Sequence, residues 1–158
     1  MKYTLTGVPV PLARARHGRY SVYDGQKALR MRHGIELSNQ VKHEPYKNVP
    51  LRMDAIFYMP FPKQMSVKKK KEMCGKPFII RPDESNLLKY IEDVATNAGI
   101  YHDDCLIFYG QQIKIYDYNP RTVFNVRIVS PAELIMLTER ILKETDGESA
   151  FKSCSCKG

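Results

Sequence analysis

Between Leu51 and Met59 every second residue is apolar: Leu51, Met53, Ala55, Phe57 and Met59, separated by mostly polar neighbours. A period of two sustained over this length marks a half-buried β-strand, so the chain must build a sheet with one covered face. Pro60 and Pro62 end the strand. Leu87, Ile91, Val94 and Ala98 supply cover at i, i+4, i+7 and i+11 of a helix expected from about Glu84 to Ala98. Gly99 suits the left-handed stop of that helix. A second helix is expected from Asp24 to about Lys42, on the face of Leu29, Arg32, Ile35 and Val41. A third opens at Ser130-Pro131-Ala132-Glu133, with Ser as cap, Pro as first helical residue and Glu as the reciprocal partner.

Further strands are expected at Lys2–Val8, Cys105–Tyr118 and Thr122–Val129, the last two joined by a turn at Asn119-Pro120-Arg121. A basic loop from Lys63 to Arg81 separates the central strand from the helix at Glu84. This order lacks the repeated βα alternation of a doubly wound sheet. It fits an α+β fold: a single domain with a small mixed or antiparallel sheet and packed helices. Residues 1–145 are expected to form that domain and residues 146–158 a flexible tail. No apolar run approaches the roughly 18 residues of a membrane span, and Met1 to Pro11 does not read as a secretory signal. The cytoplasm is therefore the expected compartment. Cys74, Cys105, Cys154 and Cys156 contain no Cys-x-x-Cys pair to start a zinc site and are expected as free thiols, Cys105 as a small buried one.

Charge is segregated along the chain. The net +8 resolves into +12 over residues 1–82 and −4 over residues 83–158, and six acids fall between Asp83 and Asp104 against one base, Lys89. A basic surface for a polyanion beside a concentrated carboxylate site explains that division. Arg14, Arg16, Arg19, Lys68, Lys69, Lys70, Lys71, Lys76 and Arg81 are the candidate phosphate contacts, which give affinity and position without sequence readout.

The acids and the base form Arg81-Pro82-Asp83-Glu84-Ser85-Asn86-Leu87-Leu88-Lys89, then Glu92-Asp93, then His102-Asp103-Asp104. Each member has an ordinary structural role open to it. Asp83 or Ser85 can cap a helix, Lys89 and Asp93 stand at the spacing of a surface ion pair, and adjacent acids are common in turns. His102, like His17, His33 and His43, has no metal-ligand spacing and reads as a bystander. A helix of this length spans about 20 Å, so Asp103 and Asp104 begin near its far end from Asp83. Only a tertiary arrangement can join them.

The joint spacing is more specific than its parts. Pro82-Asp83-x-x-Asn86-Leu87-x-Lys89, followed by Asp93 and then Gly99 and Asp103-Asp104, resembles the RusA family of Holliday-junction resolvases. Gly7-Val8-Pro9-Val10-Pro11 with Arg14 and Arg16, Tyr23-Asp24 before a helix, and Met59-Pro60 before a Lys-rich stretch agree with it. The resemblance implies a homodimeric Mg²⁺-dependent endonuclease, with Mn²⁺ as a substitute ion, that nicks four-way DNA junctions symmetrically in recombination and repair. It further implies that Asp83 and Asp104 are metal aspartates, with Asp103 beside them, and that Lys89 is needed for cleavage. The family's second metal aspartate has no counterpart, because Ser85 stands there. A hard cation prefers anionic oxygens to a neutral hydroxyl; Glu84 is one residue off, and Asp103 offers a charge in its place. Three readings follow: a junction endonuclease, a RusA-like protein that binds branched DNA without cutting, and a basic RNA-binding module with incidental acids.

Overall fold

The computed structural model describes residues 1–13, 16–17, 22–23 and 25–146. The chain falls into two compact units, Met1–Arg127 and Ile128–Gly158. In the first, strand β4 (Leu51–Met59) runs where the alternation required it, with the five apolar residues buried and the four between them half-exposed. β1 (Lys2–Thr6) pairs antiparallel with β7 (Arg121–Ile128), and β7 lies beside β4. β5 (Ile107–Tyr109) and β6 (Gln112–Tyr116) both run parallel to β4. The sheet is therefore mixed and five-stranded. A two-stranded ribbon, β2 (Arg16–His17) with β3 (Val22–Tyr23), stands apart from it. The fold is α+β, as the pattern indicated.

Helices α1 (Lys27–Ser38) and α3 (Glu84–Asn97) pack on each other and, with the sheet, enclose the core. α3 buries Leu87, Tyr90, Ile91, Val94 and Ala95, against a core that includes Leu37, Phe57, Phe124 and Val126. Complete burial of one such aliphatic or aromatic side chain is worth roughly 1.5–3 kcal/mol, so this face fixes the helix firmly. Gly99, at φ +76°, ends it in the left-handed conformation that a side chain would resist. α1 is shorter than expected, ending at Ser38, and the expected cap Asp24 lies outside the described residues.

The stretch expected to be a basic loop contains a short helix, α2 (Val67–Met73), whose cap Ser66 accepts a hydrogen bond from the Lys69 N–H at 3.4 Å. The lysine run hid it, because a helix without an apolar stripe gives no periodic signal. The single strand expected over Cys105–Tyr118 is also broken. Asp104–Leu106 forms one 3-10 turn, and β5 and β6 are separated at Gly110. A Cβ at Gly110 would stand 1.8 Å from the Met53 carbonyl oxygen, so no other residue fits this backbone approach. Asp54 closes the break, its Oδ1 accepting the Gln111 N–H at 3.0 Å while Arg52 Nε binds both carboxylate oxygens at 2.8–2.9 Å. Cys105 consequently sits exposed in the turn and not inside a strand.

In the second unit, α4 (Pro131–Asp146) starts as its opening tetrapeptide specified, with Ser130 Oγ accepting the Glu133 N–H at 3.2 Å. The expected tail lies, apart from Asp146, outside the described residues. No helix among the described residues is long and apolar enough to cross a membrane.

A buried histidine sits in the α1–α3 contact. His33 is buried, with Nδ1 2.9 Å from the Tyr90 hydroxyl. Burial, and secondarily the charge of Arg32, lower its pKa. A histidine with a depressed folded pKa binds its proton more readily when unfolded, so it contributes stability above its unfolded pKa that is lost as pH falls. Thermal unfolding of the parent should therefore show falling stability from about pH 7 to pH 5, and His33→Gln should flatten that part of the profile.

Candidate active site on helix α3

The approach to α3 is held by the sheet. Residues 75–78 run along β6: the Gly75 N–H donates to the Tyr116 carbonyl at 2.9 Å, the Tyr116 N–H to that of Lys76 at 3.0 Å, and the Phe78 N–H to that of Lys114 at 2.9 Å. Phe78 is buried, whereas Ile79, Ile80 and Arg81 are exposed, and the Arg81-Pro82 bond is cis. Asp83 then occupies the cap position of α3 in extended geometry (φ −68°, ψ 143°). Its side chain makes no capping hydrogen bond and is exposed. The everyday role for an aspartate at this position is thus unused. Ser85, in the first turn, is exposed as well.

Lys89 lies about a turn further on, exposed and without an ion pair among the described residues. The surface pair with Asp93 does not form; Asp93 Oδ2 is 3.4 Å from Arg30 Nη1 of α1. Past Gly99 the chain returns along the helix. Tyr101 is buried and donates its hydroxyl to the Glu92 carbonyl at 3.2 Å, and the His102 N–H donates to the Tyr46 carbonyl at 3.0 Å. Asp103 caps the 3-10 turn, its Oδ1 accepting the Cys105 N–H at 2.9 Å. That bond holds its carboxyl below the usual range. Asp104, the first residue of the turn, is exposed. With Asp93, Thr96, Asn97, His102 and Asp103 it lines an open cleft.

Two of the expected cleavage residues, Lys89 and Asp104, both act on Glu92 of α3, a member of the acidic segment that the family pattern does not use. Glu92 is half-buried, and its pKa is raised, first by burial and then by the charges of Asp104 and Asp93, with Lys89 acting in the opposite direction. The signal was present in the stripe Lys89, Glu92, Asp93, Thr96, spaced i, i+3, i+4 and i+7 on one helical face. Asp83 does not line the cleft that holds Asp104. Asp104 shares its cleft with Asp93, Thr96 and Asn97, at least ten residues beyond Asp83, which corresponds to about 15 Å along a helix axis.

The cleft offers hard anionic oxygens, the donor type that Mg²⁺ or Mn²⁺ takes. Among the described residues no three His, Cys, Asp or Glu side chains converge into a metal-holding group. Mg²⁺ usually keeps several waters and needs only one or two carboxylates plus substrate phosphate, and Asp93, Asp103 and Asp104, which line the cleft, supply oxygens of that type.

Of the candidate phosphate contacts, Lys68, Lys69, Lys71, Lys76 and Arg81 are exposed and Lys70 is half-buried. On α2 successive lysines turn by about 100°, so the run of four faces several directions. Arg14 and Arg19 lie outside the described residues, and Arg16 is placed only as part of β2.

The sequence model described as endodeoxyribonuclease RusA matches residues 6–127, a span that includes α3, Lys89 and the Asp103-Asp104 turn. The uncharacterized protein YqaN of Bacillus subtilis strain 168 is 32% identical over 139 residues, covering 82% of this chain and 97% of that protein.

Proposed function

The chain belongs to the RusA endodeoxyribonuclease family, and from that premise we propose that it is a divalent-metal-dependent nuclease that nicks four-way DNA junctions during recombination and repair. The observation carrying this reading is the exposed set on α3 and the adjoining turn. Asp83, Lys89 and Asp104 all face solvent, and the Asp83 carboxylate makes no capping bond.

A bound Mg²⁺ supplies charge neutralisation at the phosphate and a water of lowered pKa. Asp104, which lines the cleft together with Asp103 and Asp93, would hold such a cation. Asp103 is kept ionised and oriented by the Cys105 N–H. Lys89, exposed and about a turn from Glu92, places an ammonium where a phosphate oxygen gains charge as the bond breaks. Asp83, exposed and without a capping bond at the mouth of α3, is free to contact DNA apart from the Asp104 cleft. Two symmetric cuts on a two-fold junction call for two such sites, hence a homodimer. A protein acting on cellular DNA in this way works in the cytoplasm.

Ser85 favours a second reading, in which the protein binds branched DNA without cutting it. A labelled four-way junction and a matched linear duplex, incubated with and without Mg²⁺, separate the two. Nicking of the junction only with Mg²⁺ supports the nuclease. Tight junction binding without nicks, with cutting gained in Ser85→Asp, supports the binder, and equal affinity for junction and duplex removes both.

The basic helix has its own expected result. Replacing Lys68, Lys69 and Lys71 together with Gln should weaken junction binding at physiological salt. The slope of log affinity against log salt should fall by about 0.9 for each phosphate contact removed, so by roughly one to two and not three, because the lysines point different ways.

A further inference from the structure

Lys114 lies on β6, opposite Phe57 of β4, and is half-buried. Its Nζ donates to the Pro82 carbonyl at 2.7 Å and to the Ile80 carbonyl at 3.0 Å. It also sits 5.4 Å from the centre of the Phe78 ring. Its own carbonyl accepts the Phe78 N–H at 2.9 Å. One residue thus grips the segment 78–82 by both its backbone and its ammonium.

That segment has little else to hold it. Ile79 is 87% exposed and Ile80 48%, so apolar burial contributes little between Phe78 and Pro82. The two carbonyls bound by the ammonium straddle Arg81, and the second belongs to the peptide unit that contains the Asp83 nitrogen. A peptide unit is planar, so orienting the Pro82 C=O orients the Asp83 N–H and limits where its Cβ can point. Charge-assisted bonds of this kind are roughly twice as strong as neutral ones.

We propose that Lys114 is a positioning residue of the nuclease site: through the Ile80 and Pro82 carbonyls it sets how Arg81 and Asp83 are presented to DNA. The inference rests on the nuclease reading above. Lys114 touches neither substrate nor cation; it acts through backbone that two residues of the site share.

The test compares the parent with Lys114→Met, which keeps the stem and removes both bonds, and Lys114→Arg, which keeps donors and charge. Three measurements are made: junction affinity with Ca²⁺ in place of Mg²⁺, single-turnover nicking with Mg²⁺, and amide hydrogen exchange of the peptide covering residues 79–88. Lys114→Met is expected to bind the junction within about threefold of the parent while nicking falls roughly 10- to 100-fold, the scale of a small misplacement of a reacting group. Exchange over 79–88 should quicken with the rest of the protein unchanged, and Lys114→Arg should recover most of the nicking and the protection. Parent-like nicking and exchange in Lys114→Met overturn the inference. A parallel loss of binding and nicking also overturns it, because Lys114 would then be a DNA contact. A parent that does not nick sinks the nuclease reading instead; hydrogen exchange alone then decides the role of Lys114, quickened exchange supporting it and unchanged exchange overturning it.

Discussion

Asp104→Asn is expected to lower Mg²⁺-dependent nicking of a four-way junction by roughly 10²–10³-fold, the range seen when a key electrostatic group is removed from a site. Junction binding should stay equal to the parent's or become tighter. The substitution preserves shape and removes one negative charge. Asp104 is exposed in a 3-10 turn whose cap belongs to Asp103, so the fold has little stake in its ionisation. On the proposed function, removing the charge weakens the hold on the cation; it also relieves Glu92, whose pKa Asp104 helps to raise. Less negative charge beside a polyanion favours association, so binding and cutting should move apart. A fluorescence-anisotropy titration alongside a single-turnover gel assay measures both. A parallel loss of the two would make Asp104 a structural residue.

Lys89→Ala should cost roughly 10²-fold in nicking, with the unfolding midpoint nearly unchanged. Lys89 is exposed and makes no ion pair among the described residues. Asp93, the partner its spacing suggests, is engaged by Arg30. Truncation therefore leaves no stranded buried charge, and alanine is the best helix former. A loss of nicking under these conditions reports on the ammonium at the phosphate and not on the helix. Lys89→Arg should retain part of the rate, since the charge stays while its geometry changes. Parent-like cleavage by Lys89→Ala would remove this lysine from the chemistry.

The elements carrying the site were legible because each rests on a local rule. The alternation of Leu51 to Met59 placed β4, and the apolar stripe and Gly99 bounded α3. What escaped depends on contacts distant in sequence. The break at Gly110 exists because Met53's carbonyl comes too close for any Cβ, and no periodicity records that approach. α2 carries no apolar stripe, so its lysines looked like loop. For Asp93 the choice between Lys89 and Arg30 was settled by the packing of α1 on α3. Glu92 shares a helical face with Lys89, but its electrostatic coupling to Asp104 comes from the return of the chain past Tyr101. The same return leaves Asp83 at the other end of α3, a separation that the helix length already implied.

The most direct measurement is a single-turnover digestion of a four-way junction with each of its four strands labelled in turn, run with Mg²⁺ and with EDTA. The account expects paired nicks at two-fold-related positions in opposing strands, formed within the lifetime of one complex and only with Mg²⁺. Nicks that persist in EDTA, fall singly, or appear equally on linear duplex would contradict it, as would a junction that is bound and left intact.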